Sequence, residues 1–224
     1  METVVISLGG SVVVPKQINV EFLKAFSRAI LDKRKATRFI IVVGGGSIAR
    51  DYIDAAKSIG TTPRLASLDW LGIEATVLNA TLVKTIFQDN CYESVITNPT
   101  KKVRTDKNII VAAGWKPGFS TDYDAAMLAK SYGAKLVINI TNVDYVYDKD
   151  PTKYKDSLPI ERLSWKQFFG LVDTKWTAGL HSPFDPIAAR KASVEKMTVY
   201  IIGKDIVNLL SCVENKKCKG TIIS

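Results

Sequence analysis

Histidine and cysteine are scarce in this sequence of 224 residues, which contains one histidine, His181, and three cysteines. A single histidine excludes a metal site built from several imidazoles, and no G-x-S-x-G segment accompanies it as the nucleophile turn of a serine hydrolase. Cys91, Cys212 and Cys218 cannot pair completely, and their spacing matches no zinc motif. These shortages argue against most hydrolase and zinc-dependent functions.

Long hydrophobic runs are also absent. No apolar run approaches the roughly 20 residues that a helix needs to cross a bilayer. The sequence starts with Met1, Glu2 and Thr3 and enters an apolar segment directly, without the basic stretch and cleavage site of a signal peptide. These two absences predict a soluble cytoplasmic protein with no membrane partner.

The composition is that of a folded domain with an excess of positive charge. Apolar residues make up 46% of the chain and charged residues 24%, which is typical of a globule with a sizeable core. The net charge of +9 favours anionic partners, either nucleotides or nucleic acid. The densest basic runs, residues 101–104 and 216–219, lack interleaved aromatic residues, so we interpret them as solvated surface and expect no nucleic-acid partner.

Strand patterns alternate with helix patterns almost throughout the chain. The predicted strands span residues 3–8, 38–43, 94–97, 108–113, 135–140, 198–202 and 221–223, and the predicted helices span residues 19–33, 47–59, 67–88 and 121–132. This alternation predicts a single α/β domain, residues 1–224, with a mostly parallel sheet covered by helices on both faces.

Two glycine-rich turns follow predicted strands, at residues 9–11 and 44–47. Glycine lets the backbone approach a ligand closely, and free N–H groups at a helix start favour phosphate. Each turn alone is compatible with a simple tight connection, but two at the same edge of a sheet favour a phosphate site. The Walker and dinucleotide-binding glycine patterns are both absent, so neither of those enzyme classes is supported.

Charged residues stand close to these turns. Arg50 lies one helical turn after the triple glycine, where its guanidinium could reach a bound phosphate, although a surface arginine is the alternative. Thr121 reads as a helix cap with Asp122 and Asp124 in the first turn, an ordinary helix start that could also steady Mg²⁺. Asp185, followed by proline, reads as another cap.

The ordered set of motifs resembles the amino acid kinase superfamily, and within it the archaeal-type uridylate (UMP) kinases. The segments that carry the resemblance are residues 9–11, 44–50, 69–73, 117–122 and 141–151. The resemblance implies a three-layer αβα sandwich and Mg²⁺-dependent transfer of phosphate from ATP to UMP in pyrimidine biosynthesis. It also implies a homohexamer built from dimers, with an acceptor-binding N-terminal half and an ATP-binding C-terminal half.

The resemblance further implies a role for individual residues. The implied UMP contacts are Gly45, Asp69, Trp115, Lys116, Pro117, Gly118, Phe119, Ser120 and Thr121. The implied ATP contacts are Gly10, Ser11, Gly46, Arg50, Thr141, Asn142, Tyr147 and Asp150. Arg50, Asp122 and Asp185 are the implied catalytic residues, and Mg²⁺ is expected to arrive with ATP rather than in a protein metal site.

One departure from the superfamily keeps other functions open. Many members carry lysine at the position of Ser7, and serine cannot supply that charge to the transferred phosphoryl group. Another cation, such as Arg50, must replace it, or the chain is a non-catalytic nucleotide-binding regulatory protein. An isopentenyl phosphate kinase is the enzymatic alternative, but the histidine that family uses near its acceptor loop is missing between residues 44 and 121.

Overall fold

A seven-stranded sheet forms the centre of the fold. The computed structural model describes residues 1–60, 62–149, 151, 153–172 and 183–224, so the predictions for Asp150 and His181 lie outside the described residues. The strands of the sheet are β1 (Glu2–Leu8), β2 (Thr37–Val43), β3 (Ile109–Ala112), β4 (Leu136–Ile140), β7 (Arg162–Leu163), β8 (Thr198–Ile202) and β9 (Thr221–Ile223), and β5 (Val146–Tyr147) pairs with β6 (Pro159–Ile160) separately.

The order of the strands across the sheet is β3-β2-β1-β4-β8-β9-β7. The first five strands in that order are parallel neighbours, and β9 runs antiparallel to β8. The central strands are continuous runs of isoleucine and valine rather than alternating patterns, because helices cover both of their faces. The predicted mostly parallel sheet is confirmed.

Helices pack on both faces of this sheet. They are α1 (Gly10–Val13), α2 (Val20–Lys33), α3 (Gly46–Ser58), α4 (Leu65–Phe87), α5 (Thr121–Tyr132), α6 (Trp165–Leu171), α7 (Pro186–Val194) and α8 (Ile206–Val213). One apolar core joins the sheet to α2, α4 and α8, and a second joins it to α5, α6 and α7. The fold is therefore the three-layer αβα sandwich that the sequence motifs implied. No helix of the described residues combines the length and the apolar character needed to span a membrane.

Two local predictions are wrong. Residues 94–97 form no strand, because Ile96 alone in this segment pairs with β3, at an isolated bridge to Ala112. The cap of α5 is Ser120 rather than Thr121, since the Ser120 side chain accepts the amide hydrogen of Tyr123. Side-chain oxygens of this kind satisfy the free amides of a first helical turn.

Candidate functional site

The two glycine-rich turns lie against each other at the carboxyl ends of β1 and β2. Leu8 and Val43, the last residues of these strands, are paired in register. The amide of Gly44 donates to the carbonyl of Leu8 at 2.9 Å. Ligands of open parallel sheets bind at this edge, so the strand register alone brings the two turns to the expected place.

At the contact between the turns, two backbone amides have no hydrogen-bond partner in the described part of the chain. Among the described residues, the amides of Gly45 and Gly46 have no hydrogen-bond partner. A Cβ atom on Gly10 would lie 2.0 Å from the nitrogen of Gly46 and 2.7 Å from that of Gly45. Gly46 also has a φ of +66°, in the left-handed region that favours glycine. The absence of side chains therefore keeps two free donors at the start of α3, where the helix dipole favours an anion.

Arg50 is the nearest cation in sequence to these amides. It lies on α3 four residues after Gly46, and helical side chains lean toward the N-terminus, so its guanidinium can reach back over the first turn. Arg50 is exposed and makes no ion pair or side-chain hydrogen bond within the described part of the chain. Its charge is thus available to a ligand.

Asp122 and Asp185 meet behind the glycine turns, together with Ser7. The hydroxyl of Ser7 donates to Oδ1 of Asp122 at 2.7 Å, and the amide of Asp185 donates to Oδ2 of Asp122 at 3.1 Å. Asp185 in turn accepts a hydrogen bond from Ser120 Oγ and caps α7. Burial raises the pKa of Asp122 to about 6, while the hydrogen bond from Ser7 opposes the rise. Ser7 therefore holds Asp122 by a hydrogen bond. In the superfamily that the motifs resemble, many members carry lysine at this position.

Asp124 is fully buried, two residues after Asp122 on α5. Its Oδ2 accepts the amide hydrogen of Trp115 at 3.0 Å, whereas its Oδ1 has no partner among the described residues. Burial raises the pKa of this carboxyl to about 7. The sequence indicated Asp124 as an acid of a helix start that could also steady Mg²⁺, and its hydrogen bond to the loop beginning at Trp115 was missed.

The raised pKa of Asp124 predicts how the free energy of unfolding depends on pH. A carboxyl with an ordinary pKa near 3.8 that rises to about 7 on folding costs stability as pH increases through that interval. Between pH 5 and 8 this group should lower the free energy of unfolding by roughly 3 kcal/mol, at about 1.36 kcal/mol per pKa unit. Asp124→Asn should remove that part of the pH dependence, as measured by urea unfolding at both pH values. Asp106→Asn, which changes an exposed carboxylate, should not; an unchanged slope in the Asp124 variant would contradict the assignment.

Helix α4 holds the loop that follows β3. Oγ1 of Thr76 accepts the amide hydrogen of Gly114 at 2.8 Å, and Oδ2 of Asp69 accepts that of Gly118 at 2.9 Å. Gly118 has a φ of +87° and follows Pro117, the pairing that a type II turn requires. The structure thus brings Asp69 together with the loop of residues 114–121, two segments that the sequence motifs had linked only by family resemblance.

Aromatic rings stack along the same loop. The ring centroids of Trp115 and Phe119 are 5.4 Å apart, and those of Phe119 and Tyr123 are 4.5 Å apart. The ammonium group of Lys116 lies 4.0 Å from the centroid of the Trp115 ring. The loop therefore carries a cluster of tilted, stacked rings with the Lys116 ammonium over the Trp115 ring, groups that can contact a planar ligand with polar atoms at its edge.

The residues expected on the ATP side follow β4. The amide of Gly9 donates to the carbonyl of Ile140 at 2.9 Å, which places Thr141 beside the first glycine turn. The hydroxyl of Thr141 donates to the side chain of Asn142 at 3.2 Å, and Tyr147 lies in β5. Thr141 and Asn142 therefore follow the carboxyl end of β4 at the edge where Gly10 and Ser11 follow β1, whereas Tyr147 lies in the separate β5-β6 pair.

No group of three or more acidic, thiol or imidazole side chains in the described ranges is arranged to hold a metal ion. The two oxygens of Asp122 already accept hydrogen bonds, and the two oxygens of Asp185 accept from Ser120 and from the amides of α7. Each oxygen of Asp122 keeps a second lone pair, but no third carboxylate, thiol or imidazole of the described residues joins these two carboxylates in a metal site.

A separate open groove of about 1010 Å³ runs along α8. Tyr145, Arg162, Tyr200 and Lys217 are among the residues that line it. It contains none of the predicted site residues, so the candidate site is the contact between the glycine turns and not this larger space.

Comparison with known proteins agrees with the motifs and the fold. The family model described as the amino acid kinase family matches residues 2–203, which is most of the chain. This chain belongs to the amino acid kinase family. The resemblance read from the sequence is confirmed.

Several relatives of this amino acid kinase match over nearly its whole length. A protein named uridylate kinase from Thermococcus sibiricus is 34% identical over 98% of both chains, and one from Pyrococcus abyssi is likewise 34% identical over 98% of both. The crystal structure of uridylate kinase from Archaeoglobus fulgidus covers all of both chains with a TM-score of 0.85 and 31% identity. A UMP kinase structure from Bacillus anthracis, at 18% identity and a TM-score of 0.78, shares the fold.

Three buried polar side chains of this amino acid kinase support the site, and two of them, Thr76 and Asn79, were not found from the sequence. Thr76, Asn79 and Asp124 lie inside helices, and each is at least nine-tenths buried. All three bond to backbone groups of the glycine turn or the loop after β3. The available signal was a polar residue among apolar neighbours at a helix position that faces the core.

Proposed function

We propose that this amino acid kinase is a uridylate kinase, which transfers the γ-phosphate of ATP to UMP and yields ADP and UDP. The observation that carries the proposal is the pair of unpartnered amides of Gly45 and Gly46, left uncovered by Gly10, at the contact of two glycine turns. The names of the full-length relatives from Thermococcus and Pyrococcus supply the acceptor.

The two substrates occupy opposite sides of this contact. On the acceptor side, Gly45 and Asp69 bind UMP together with the loop from Trp115 to Thr121, whose aromatic stack offers a surface for the uracil ring. On the donor side, ATP lies along Gly10, Ser11 and Gly46 and extends toward Thr141, Asn142 and Tyr147. This arrangement gives the acceptor to the N-terminal half of the domain and ATP largely to the C-terminal half.

The reaction needs alignment and charge neutralisation more than acid–base help. An oxygen of the UMP phosphate, already ionised at pH 7, attacks the γ-phosphorus while the bond from that phosphorus to the bridging oxygen of ADP breaks. The amides of Gly45 and Gly46 stabilise the equatorial oxygens, and Arg50 supplies the positive charge that Ser7 cannot. Asp122 and Asp185 shape the wall behind the transferred group through their hydrogen bonds to Ser7 and Ser120.

Mg²⁺ accompanies ATP in this proposal. Magnesium commonly binds through substrate phosphates and water with few protein ligands, which suits a site whose carboxylates are already hydrogen-bonded. When bound, it would neutralise charge on the ATP phosphates. The homohexameric assembly remains a prediction based on the resemblance, and the cytoplasmic location remains a prediction based on the sequence.

The acceptor assignment is tested by varying the acceptor. With ATP and Mg²⁺, release of ADP is measured in the presence of UMP, CMP, dTMP or isopentenyl phosphate. The proposal expects rapid turnover with UMP and slower turnover with the other three. Preference for isopentenyl phosphate would identify the alternative kinase, and no turnover with any acceptor would favour the non-catalytic nucleotide-binding protein.

Asp69 provides a prediction about acceptor affinity. Asp69→Ala removes a carboxylate that both holds Gly118 and faces the acceptor side, so the KM for UMP should rise about 10- to 100-fold with little change in kcat. Asp69→Asn, which can still accept the Gly118 amide hydrogen, should have a smaller effect. Asp54→Ala, at an exposed ion pair on α3, is the matched control in steady-state kinetics. An unchanged KM in the Asp69→Ala variant would reject this role.

A further inference from the structure

Asn79 is a polar residue in the middle of α4, between apolar neighbours. Its side chain is almost completely buried, with 2% of its surface exposed. Burial of an amide is costly unless its hydrogen bonds are made, so a partner is required here. The Nδ2 group donates to the carbonyl of Gly44 at 2.9 Å and to the carbonyl of Gly45 at 3.0 Å. Because both partners are acceptors, the orientation of the side-chain amide is fixed by chemistry.

These two carbonyls belong to the peptide groups that contain the unpartnered amides. The carbonyl of Gly44 shares a plane with the N–H of Gly45, and the carbonyl of Gly45 shares a plane with the N–H of Gly46. In a trans peptide the N–H points away from the carbonyl, and the described chain contains no cis peptide bond. By holding both carbonyls toward α4, Asn79 therefore turns both N–H groups away from α4.

Backbone hydrogen bonds fix the two ends of the glycine turn, from the amide of Gly44 to the carbonyl of Leu8 and from the amide of Ser47 to the carbonyl of Val14, but neither involves the peptide groups between them. Gly44, Gly45 and Gly46 carry no side chains that could lock their dihedral angles, and glycine is the most conformationally free residue. The carbonyl of Gly45 receives one further hydrogen bond, from the amide of Ala49 at 3.4 Å. The two contacts of Asn79 are shorter, and they act on consecutive peptide groups.

We infer that Asn79 is a positioning residue for phosphoryl transfer, which aims the amides of Gly45 and Gly46 at the phosphate groups. This inference rests on the proposed function of the site. Donors that stabilise a transition state act through their prior orientation, so a turn whose peptide planes can rotate should lose rate more than substrate affinity.

The chain offers a matched control for a test of Asn79. Asn208 is also a buried asparagine on a helix, α8, and it also ties down a loop: its Nδ2 donates to the carbonyl of Lys219 at 2.7 Å, and its Oδ1 accepts the amide hydrogen of Lys219 at 2.6 Å. Within the described part of the chain, Asn208 makes no hydrogen bond with the glycine turns or with the loop after β3. Asn79→Leu and Asn208→Leu therefore remove the same kind of buried bonds at the site and away from it.

The experiment compares kinetics and unfolding for the two leucine variants and for Asn79→Asp, whose carboxylate cannot donate to the carbonyls. Both leucine variants should shift the urea midpoint downward by similar amounts. Only the Asn79 variants should lose kcat, by about 10- to 100-fold, with the KM values for ATP and UMP within about threefold of the wild type. An Asn79→Leu enzyme with the kcat of the wild type, or equal losses in both leucine variants, would overturn the inference.

Hydrogen exchange gives a second readout that does not depend on turnover. The amides of Gly44 and Ser47, which donate to the carbonyls of Leu8 and Val14, should exchange faster in Asn79→Leu than in the wild type, while Asn208→Leu leaves them unchanged. Equal exchange of these two amides in all three proteins would overturn the positioning role even if the enzyme is inactive. A wild type that releases no ADP with UMP would count against the proposed function and not against the control of the turn by Asn79.

Discussion

Gly10→Ala is expected to lower kcat/KM by at least about 100-fold, the loss that follows removal of a transition-state donor. The added Cβ would lie 2.0 Å from the nitrogen of Gly46 and 2.7 Å from that of Gly45, closer than atoms can approach. The two glycine turns must separate, and the methyl group then stands in front of both amides. Steady-state kinetics with ATP and UMP measure the loss.

Alanine at a second glycine serves as the control, because it shows what a glycine-to-alanine change does away from the site. Gly170 lies in α6, and a Cβ there would meet nothing within 4 Å, so Gly170→Ala should keep wild-type activity and gain slightly in stability. Circular dichroism establishes whether Gly10→Ala retains the fold, since strain of this kind typically costs 1–3 kcal/mol. A folded Gly10→Ala variant with activity within tenfold of the wild type would show that the amides behind it are not used.

Arg50→Ala is expected to reduce kcat by about 10²–10³-fold without changing the fold. The guanidinium is exposed and has no partner in the described ranges, so its removal breaks no contact that stabilises the folded state. Under the proposed function, Ser7 brings no positive charge to the transferred group, so Arg50 is expected to supply it.

The charge and the shape of Arg50 can be tested separately. Arg50→Lys keeps the charge but loses the planar fork that suits phosphate oxygens, and it should recover part of the lost rate. Arg28→Ala removes an equal charge from the exposed face of α2 and should behave as the wild type. If kcat of Arg50→Ala remains near normal, another cation neutralises the phosphoryl group.

The sequence predicted the main elements of the fold because their signals are local. Continuous apolar runs marked the central strands, and Gly133 marked the end of α5 at Tyr132. The short elements between residues 146 and 171 were not predicted, since strands of two residues leave no periodic pattern. For α6 a signal existed and was overlooked: Ser164 and Gln167 form a capping box, which is readable from their spacing.

Local sequence signals also decided which parts of the candidate site could be predicted. The glycine turns and Arg50 could be predicted because each is recognised from the few residues next to it at a strand end. The contacts of Asn79 and Asp124 could not, because their partners are backbone groups 34 or 35 residues away in one case and nine in the other. A residue type does not reveal which carbonyl or amide the fold will place beside it.

The most direct measurement is a crystal structure of the protein with UMP and a non-hydrolysable ATP analogue bound together. We expect phosphate oxygens of the two nucleotides within about 3 Å of the amide nitrogens of Gly45 and Gly46, with the acceptor oxygen in line with the γ-phosphorus. Nucleotides bound with their phosphates elsewhere, and with both of these amides lacking a phosphate partner, would contradict the assignment of the glycine turns as the centre of the reaction.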